Sequence, residues 1–146
     1  AALINDSYNS SPAALHAMVS VLAATPNFQR RILAVGEMRE LGAASLALHH
    51  EAGIFVAKAG NVDWVIGVEG HAQEIVAGAV AAGIPRERTR FFSSSDEAAK
   101  FLEDFFRAGD VLLVKGSRGV KMERIVETLL GRYAAPGEAS QQEVQH

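Results

Sequence analysis

Along this chain, short unbroken apolar runs alternate with stretches in which apolar residues recur every three or four positions. An apolar run without polar alternation suits a strand covered on both faces, and the 3.6-residue spacing suits a helix lying on such a sheet. The first run, residues 2–4, is followed by a helix pattern in which Ser11 caps, Pro12 takes the first position, Leu15, Met18, Val19 and Leu22 share a face, and Pro26 stops the pattern. "RILAVG" reads as the second strand. Residues 43–59 read as a helix from the spacing of Leu46, His50, Ile54 and Ala57, with Gly60 at its end. "VDWVIGV", then residues 72–82 with Gly83 as the stop, continue the alternation. "RTRFFSSS" supplies a short fourth strand, and Ser95 starts a helix carrying Ala98, Phe101, Leu102, Phe105 and Phe106. Asp110 opens "VLLVKG", and residues 120–130 form the last helix. The predicted fold is a three-layer α/β domain with a mostly parallel, doubly wound sheet of about five or six strands. It occupies residues 1–133; residues 134–146, rich in Gln, Glu, Ala and Ser, read as a flexible tail.

The 146 residues suffice for one domain. A net charge of −3 argues against nucleic acid or an anionic membrane surface as the main partner. No apolar stretch is long enough for a bilayer and no signal-peptide order is present, so the expected location is cytoplasmic. Cysteine is absent, which excludes disulfide and thiolate chemistry within this chain. Because the first strand begins almost at residue 1, that residue is expected to be a cut point within a longer polypeptide.

Ligands of open parallel sheets bind beyond the carboxyl ends of the strands. Three polar clusters fall there: "NDSYNSSP" after the first strand, "GEMRELG" after the second and "KGSRG" after the last. In the last, Gly116 and Gly119 allow a tight turn, the next helix offers free N–H groups, and Lys115 and Arg118 add positive charge. That combination reads either as an anion-binding corner or as a glycine-punctuated turn with solvated basic residues. The chain has neither GxxxxGK[ST] nor GxGxxG, so no complete triphosphate site is visible. Asp6 reads as a ribose acceptor or as a turn former. His49 and His50 are adjacent on a helix, face different ways and cannot form an i, i+4 metal pair. Glu37 and Glu40 read as a charged loop before a catalytic pair, and Trp64 with the Phe pairs at 91–92 and 105–106 as packing residues.

In "NDSYNSSP", "LAVGEMRELG" followed by His49, and "LLVKGSRGVKMERIV", the chain resembles the C-terminal domain of the Mur ligase family, with the motifs in the family's order from residue 4 to residue 126. The resemblance is greatest to the branch adding D-alanyl-D-alanine to UDP-N-acetylmuramoyl-tripeptide. It implies a Rossmann-like domain of a cytoplasmic, three-domain, ATP-dependent amide-bond ligase of peptidoglycan precursor synthesis, working through an acyl phosphate. The N-terminal domain would hold the UDP-sugar peptide and the central domain the ATP phosphates and Mg2+; the domain alone would be inactive and monomeric. Carried over by position, Asp6, Tyr8 and Asn9 are the nucleotide-binding residues, and Lys115, Ser117 and Arg118 bind D-alanyl-D-alanine; no catalytic or metal-ligating residue is assigned. Glu40, Gly42 and His49 match the middle motif, in a structural or a substrate-contacting role. The family's usual D-D-S-Y-N-A-N-P becomes N-D-S-Y-N-S-S-P here, with Ser11 replacing the second Asn. The alternatives are a stand-alone nucleotide- or anion-binding module, or a folate- or cyanophycin-type amide ligase of the same superfamily.

Overall fold

In the computed structural model, which describes residues 1–7, 10–116, 118–133 and 142–145, the chain runs β1 (Ala2–Asp6), α1 (Pro12–Ala24), β2 (Arg30–Gly36), α2 (Ser45–Ala59), β3 (Trp64–Val68), α3 (Ala72–Ala81), β4 (Thr89–Phe92), α4 (Ser95–Phe105), β5 (Asp110–Lys115), α5 (Glu123–Tyr133) and β6 (Gln142–Gln145). Short 3-10 turns at Gly42–Ala44 and Arg118–Val120 precede α2 and α5, and a third, Arg86–Arg88, precedes β4. The strands form one sheet in the order β4-β3-β2-β5-β1-β6, every pair parallel.

The two faces of the sheet are covered by different helices. Leu15, Met18, Val19 and Leu22 of α1, Ala52 and Val56 of α2, and Ile75 and Ala79 of α3 pack on one face. Ala98, Ala99 and Leu102 of α4 and Ile125, Val126 and Leu129 of α5 pack on the other. The chain therefore winds outward from β1 through β2 and β3 to β4 on one face, then returns to β5 and β6 on the other. β5 lands between β1 and β2, and all six of its residues are buried.

Local chemistry sets the helix ends. Ser11 Oγ accepts the Ala14 N–H at 3.1 Å with Pro12 in the first turn, and Gly60 ends α2 at φ 71°. Ser94, one residue before the expected Ser95, caps α4 by accepting the Glu97 N–H at 3.2 Å. Trp64 and Phe105 meet edge to face with ring centroids 4.6 Å apart, and Phe101 stacks on Phe105 at 4.9 Å, as expected of packing residues.

One feature departs from the sequence pattern and one expectation is corrected. The buried face of α2 is Ser45, His49, Ala52, Gly53 and Val56, whereas Leu46 is 54% exposed. The reason is the close approach of α2 to α3: a Cβ on Gly53 would overlap the Ile75 carbonyl, and one on Gly78 the His50 carbonyl. Small residues face the neighbouring helix, and the larger apolar ones are displaced from the inner stripe. Within the expected tail, residues 142–145 form β6 alongside β1, with Ala2 opposite Gln142 and Ile4 opposite Val144. The remainder of that tail, residues 134–141 and 146, lies outside the described residues.

Gly53→Ala tests the close contact, because propensity and packing give opposite signs. Helix propensity alone would stabilise α2 by about 1 kcal/mol, but overlap with backbone is expected to win and destabilise by about 1–3 kcal/mol. Urea denaturation reads the sign. Leu46→Ala, on the exposed face, is expected to stay within about 0.5 kcal/mol of the parent.

Candidate functional site

Doubly wound sheets open a crevice where neighbouring strands send their chains to opposite faces. Here that happens around β5, which leads to α5 on one face while β1 and β2 lead to α1 and α2 on the other. The register sets Asp6 opposite Lys115 and Val35 opposite Lys115, so the three polar clusters share one sheet edge.

At the centre of that edge, Lys115 is fully buried and its Nζ lies 3.0 Å from Asp6 Oδ2; the Asp6 side chain is 10% exposed. The Gly116 N–H donates to the Asp6 carbonyl at 3.2 Å, extending the β1–β5 seam past the ion pair. Next to Asp6, Asn5 Oδ1 accepts the Ser7 N–H at 3.2 Å, while Ser7 Oγ is buried with no hydrogen-bond partner among the described residues. Gly116 is required for space: a Cβ there would overlap the buried Met122 side chain.

The loop after β2 is tied down from both sides. His49 is fully buried, and its Nδ1, 2.7 Å from the Ser45 carbonyl, must carry the proton. Nε2 is thereby left to accept the Met38 N–H at 2.8 Å. The imidazole is held neutral: burial, the largest influence, lowers its pKa, and neighbouring His71 adds to this against the opposing Ser45 carbonyl, Glu37 and Glu74. The Ser45 hydroxyl meets His71 Nδ1 at 2.7 Å, and the His71 N–H donates to Glu37 Oε2 at 2.7 Å, joining the loops after β2 and β3. Arg39, 47% exposed, lies 3.5 Å from Glu37 and 3.3 Å from Glu69, and its guanidinium reaches the Gly119 carbonyl at 3.5 Å.

Of the residues singled out from sequence, Asp6 and Lys115 are brought together, but with each other. The ammonium of Lys115, a residue the resemblance assigns to the dipeptide, is buried against the Asp6 carboxylate. Tyr8, Asn9 and Ser117 lie outside the described residues, as does the side chain of Arg118, whose backbone opens the 3-10 turn before α5. His49 occupies the structural alternative. Glu40 is exposed at φ 64°, while Glu37 is engaged by the His71 N–H and by Arg39. His50 sits apart from His49, 3.2 Å from Glu74. Arg39, Glu69, Ser45 and His71 were not anticipated; the available signal was "VEGH", another polar cluster at a strand's carboxyl end. Among the described residues no group of three or more His, Asp or Glu is placed to hold a metal ion, and no helix is long and apolar enough to cross a membrane.

His49 gives the site a pH signature. Its folded pKa lies below the unfolded value of 6.5, so its contribution to stability is complete above that value. As pH falls below 6.5 the unfolded chain takes up the proton first, and stability is lost until the folded pKa is passed. His49→Leu, which orphans the Met38 N–H, is expected to cost about 1–3 kcal/mol at pH 7.5. It is also expected to flatten the decline in denaturation midpoint between about pH 7 and pH 5 relative to the parent.

Comparison with known proteins agrees with this architecture. The sequence family described as "Mur ligase, glutamate ligase domain" matches residues 1–118. UDP-N-acetylmuramoyl-tripeptide–D-alanyl-D-alanine ligase of Escherichia coli strain K12 is 36% identical over 129 residues, covering 87% of this chain and 26% of the relative. The enzyme of the same name from Haemophilus influenzae is 34% identical over 133 residues, covering 87% of this chain and 27% of the relative. Among solved structures, MurF of Acinetobacter baumannii superimposes with a TM-score of 0.75 at 27% identity, over 88% of this chain and 28% of that one. MurF ligase of Thermotoga maritima, solved with ADP, gives 0.70 at 28% identity, over 89% and 28%. The chain spans little more than a quarter of the length of the relatives it matches. With a parallel sheet, a crevice at β5 and a family match over most of its length, the chain belongs to the Mur ligase family.

Proposed function

We propose that this chain is the C-terminal, ligand-closing domain of an ATP-dependent ligase that joins D-alanyl-D-alanine to UDP-N-acetylmuramoyl-tripeptide in peptidoglycan precursor synthesis, in the cytoplasm. The observation that carries the reading is the convergence of the loops after β1, β2 and β5 on one crevice. Relatives matched in sequence over that convergence carry the name of this activity.

The corner suits a hydroxyl-bearing ligand such as a ribose. Asp6 offers a carboxylate with one oxygen already held, and beside it Ser7 has a buried hydroxyl without a partner among the described residues. Asp6, with Tyr8 and Asn9, is assigned to the nucleotide. Ser117 and Arg118, on the loop after β5, are assigned to the dipeptide, whose carboxylate matches a guanidinium in charge and shape. The described donor set offers no metal site, so the Mg2+ that accompanies ATP is assigned, with the phosphates, to a central domain, and the UDP-sugar peptide to an N-terminal one. ATP supplies the phosphoryl group that activates the acceptor carboxylate; this chain's residues contribute orientation and exclusion of water, which lower a barrier by positioning.

The full-length gene product is expected to release phosphate from ATP in the presence of UDP-N-acetylmuramoyl-tripeptide, dependent on D-alanyl-D-alanine, and the chain alone to show no turnover. Arg118→Ala is expected to raise KM for the dipeptide by roughly ten- to a hundredfold, the loss of a charge-assisted contact of about 1.5–3 kcal/mol. A folded full-length product without dipeptide-dependent turnover would remove the ligase reading.

A further inference from the structure

Lys115 is the most anomalous side chain in the fold. Among the described residues it is the largest that is fully buried, and it carries a charge. Lysine is almost never buried completely unless paired, and an apolar side chain of similar volume would fill the same space without desolvating an ammonium. Packing therefore does not account for it. Its setting points elsewhere: it is the last residue of the central strand, in register with Asp6, the last residue of β1. Its ammonium engages Oδ2 of that residue, and the seam continues through the Gly116 N–H to the Asp6 carbonyl.

We propose that Lys115 is a positioning residue for the nucleotide side of the crevice: it acts through Asp6, fixing that carboxylate by Oδ2 so that Oδ1 is presented to a ligand hydroxyl. This rests on the assignment of Asp6 to a nucleotide made above and replaces a dipeptide contact for Lys115. The seam explains how a residue with no exposed surface affects binding: it sets the direction of a neighbour that retains some. Beside Asp6, the buried Ser7 hydroxyl has no partner among the described residues, which leaves a polar group at this corner available to a ligand. Arg39, whose guanidinium reaches the Gly119 carbonyl, is engaged by Glu37 and Glu69.

The test uses the full-length gene product with Lys115→Met, Asp6→Asn and the double variant. ADP affinity is measured by calorimetry, KM for ATP and for D-alanyl-D-alanine by phosphate release, and folding by thermal denaturation. In Lys115→Met, ADP affinity is expected to fall, and KM for ATP to rise, by about tenfold, the weight of one charge-assisted hydrogen bond, with dipeptide KM changed less than about twofold. Because Lys115 acts through Asp6, the double variant is expected to bind ADP no worse than Asp6→Asn alone. A raised dipeptide KM with ADP affinity intact, or losses that multiply in the double variant, would overturn the proposal. If Lys115→Met fails to fold, the comparison of Asp6→Asn with the double variant, which buries no unpaired charge, decides it in the same way. A parent protein that binds ADP but shows no dipeptide-dependent turnover refutes the ligase reading, and the ADP measurements still decide the role of Lys115.

Discussion

The central strand is held between two ion pairs, one part-buried and one buried, one at each end and one to each neighbouring strand. At its amino end Asp110 takes a forked contact from Arg30 of β2, with distances of 2.7 and 2.6 Å. At its carboxyl end Lys115 meets Asp6 of β1. Between them lie Val111, Leu112, Leu113 and Val114, apolar side chains that alternate between the two cores and would tolerate a slipped register far better than the charges do. Apolar burial drives this strand inward, but it is the pairing of charges that specifies which residues stand opposite one another. A displaced register would leave ammonium and carboxylate buried apart, at several kcal/mol per broken pair.

Around that fixed strand the carboxyl edge is built from loops that brace each other. The loop after β2 hangs on a neutral imidazole that accepts one backbone N–H and donates to one carbonyl, so His49 works as a strut. Through Glu37 and His71 the same loop grips the start of α3, and through Arg39 it touches the loop after β5. A ligand entering the crevice thus meets backbone segments already restrained on two sides, which reduces the ordering cost of binding.

Much of the fold was legible because it depends on local signals. Ser11 and Pro12, the Leu15–Met18–Val19–Leu22 stripe and the unbroken "RILAVG" and "VLLV" runs each carry their structure in consecutive residues. What was not legible is what depends on distant partners. The inner face of α2 is chosen by Gly78, in another helix, and β6 exists through hydrogen bonds to β1 rather than through any apolar pattern of its own. The site divides in the same way. Its location followed from strand ends and polar clusters, but the partner of Lys115 could not be read until register placed Asp6 across from it. Basic residues near glycines suggest an anion site in one dimension; in three, one of them is already occupied by the protein's own carboxylate.

The insertion of β5 between β1 and β2 has a temporal side. Those two strands lie within the first 36 residues yet are not neighbours in the sheet, and the contact that completes them spans 80 positions, from Arg30 to Asp110. As the chain emerges during synthesis, β2, β3 and β4 can pair in sequence with α2 and α3 over them, while β1 must wait with both edges open, because β5 and β6 flank it. Such non-local closure is slow compared with helix formation or hairpin pairing. The edge of β1 that takes β5 is the one that will carry Asp6 beside Lys115, so the crevice comes into existence only after the β2–β3–β4 half of the sheet can be in place.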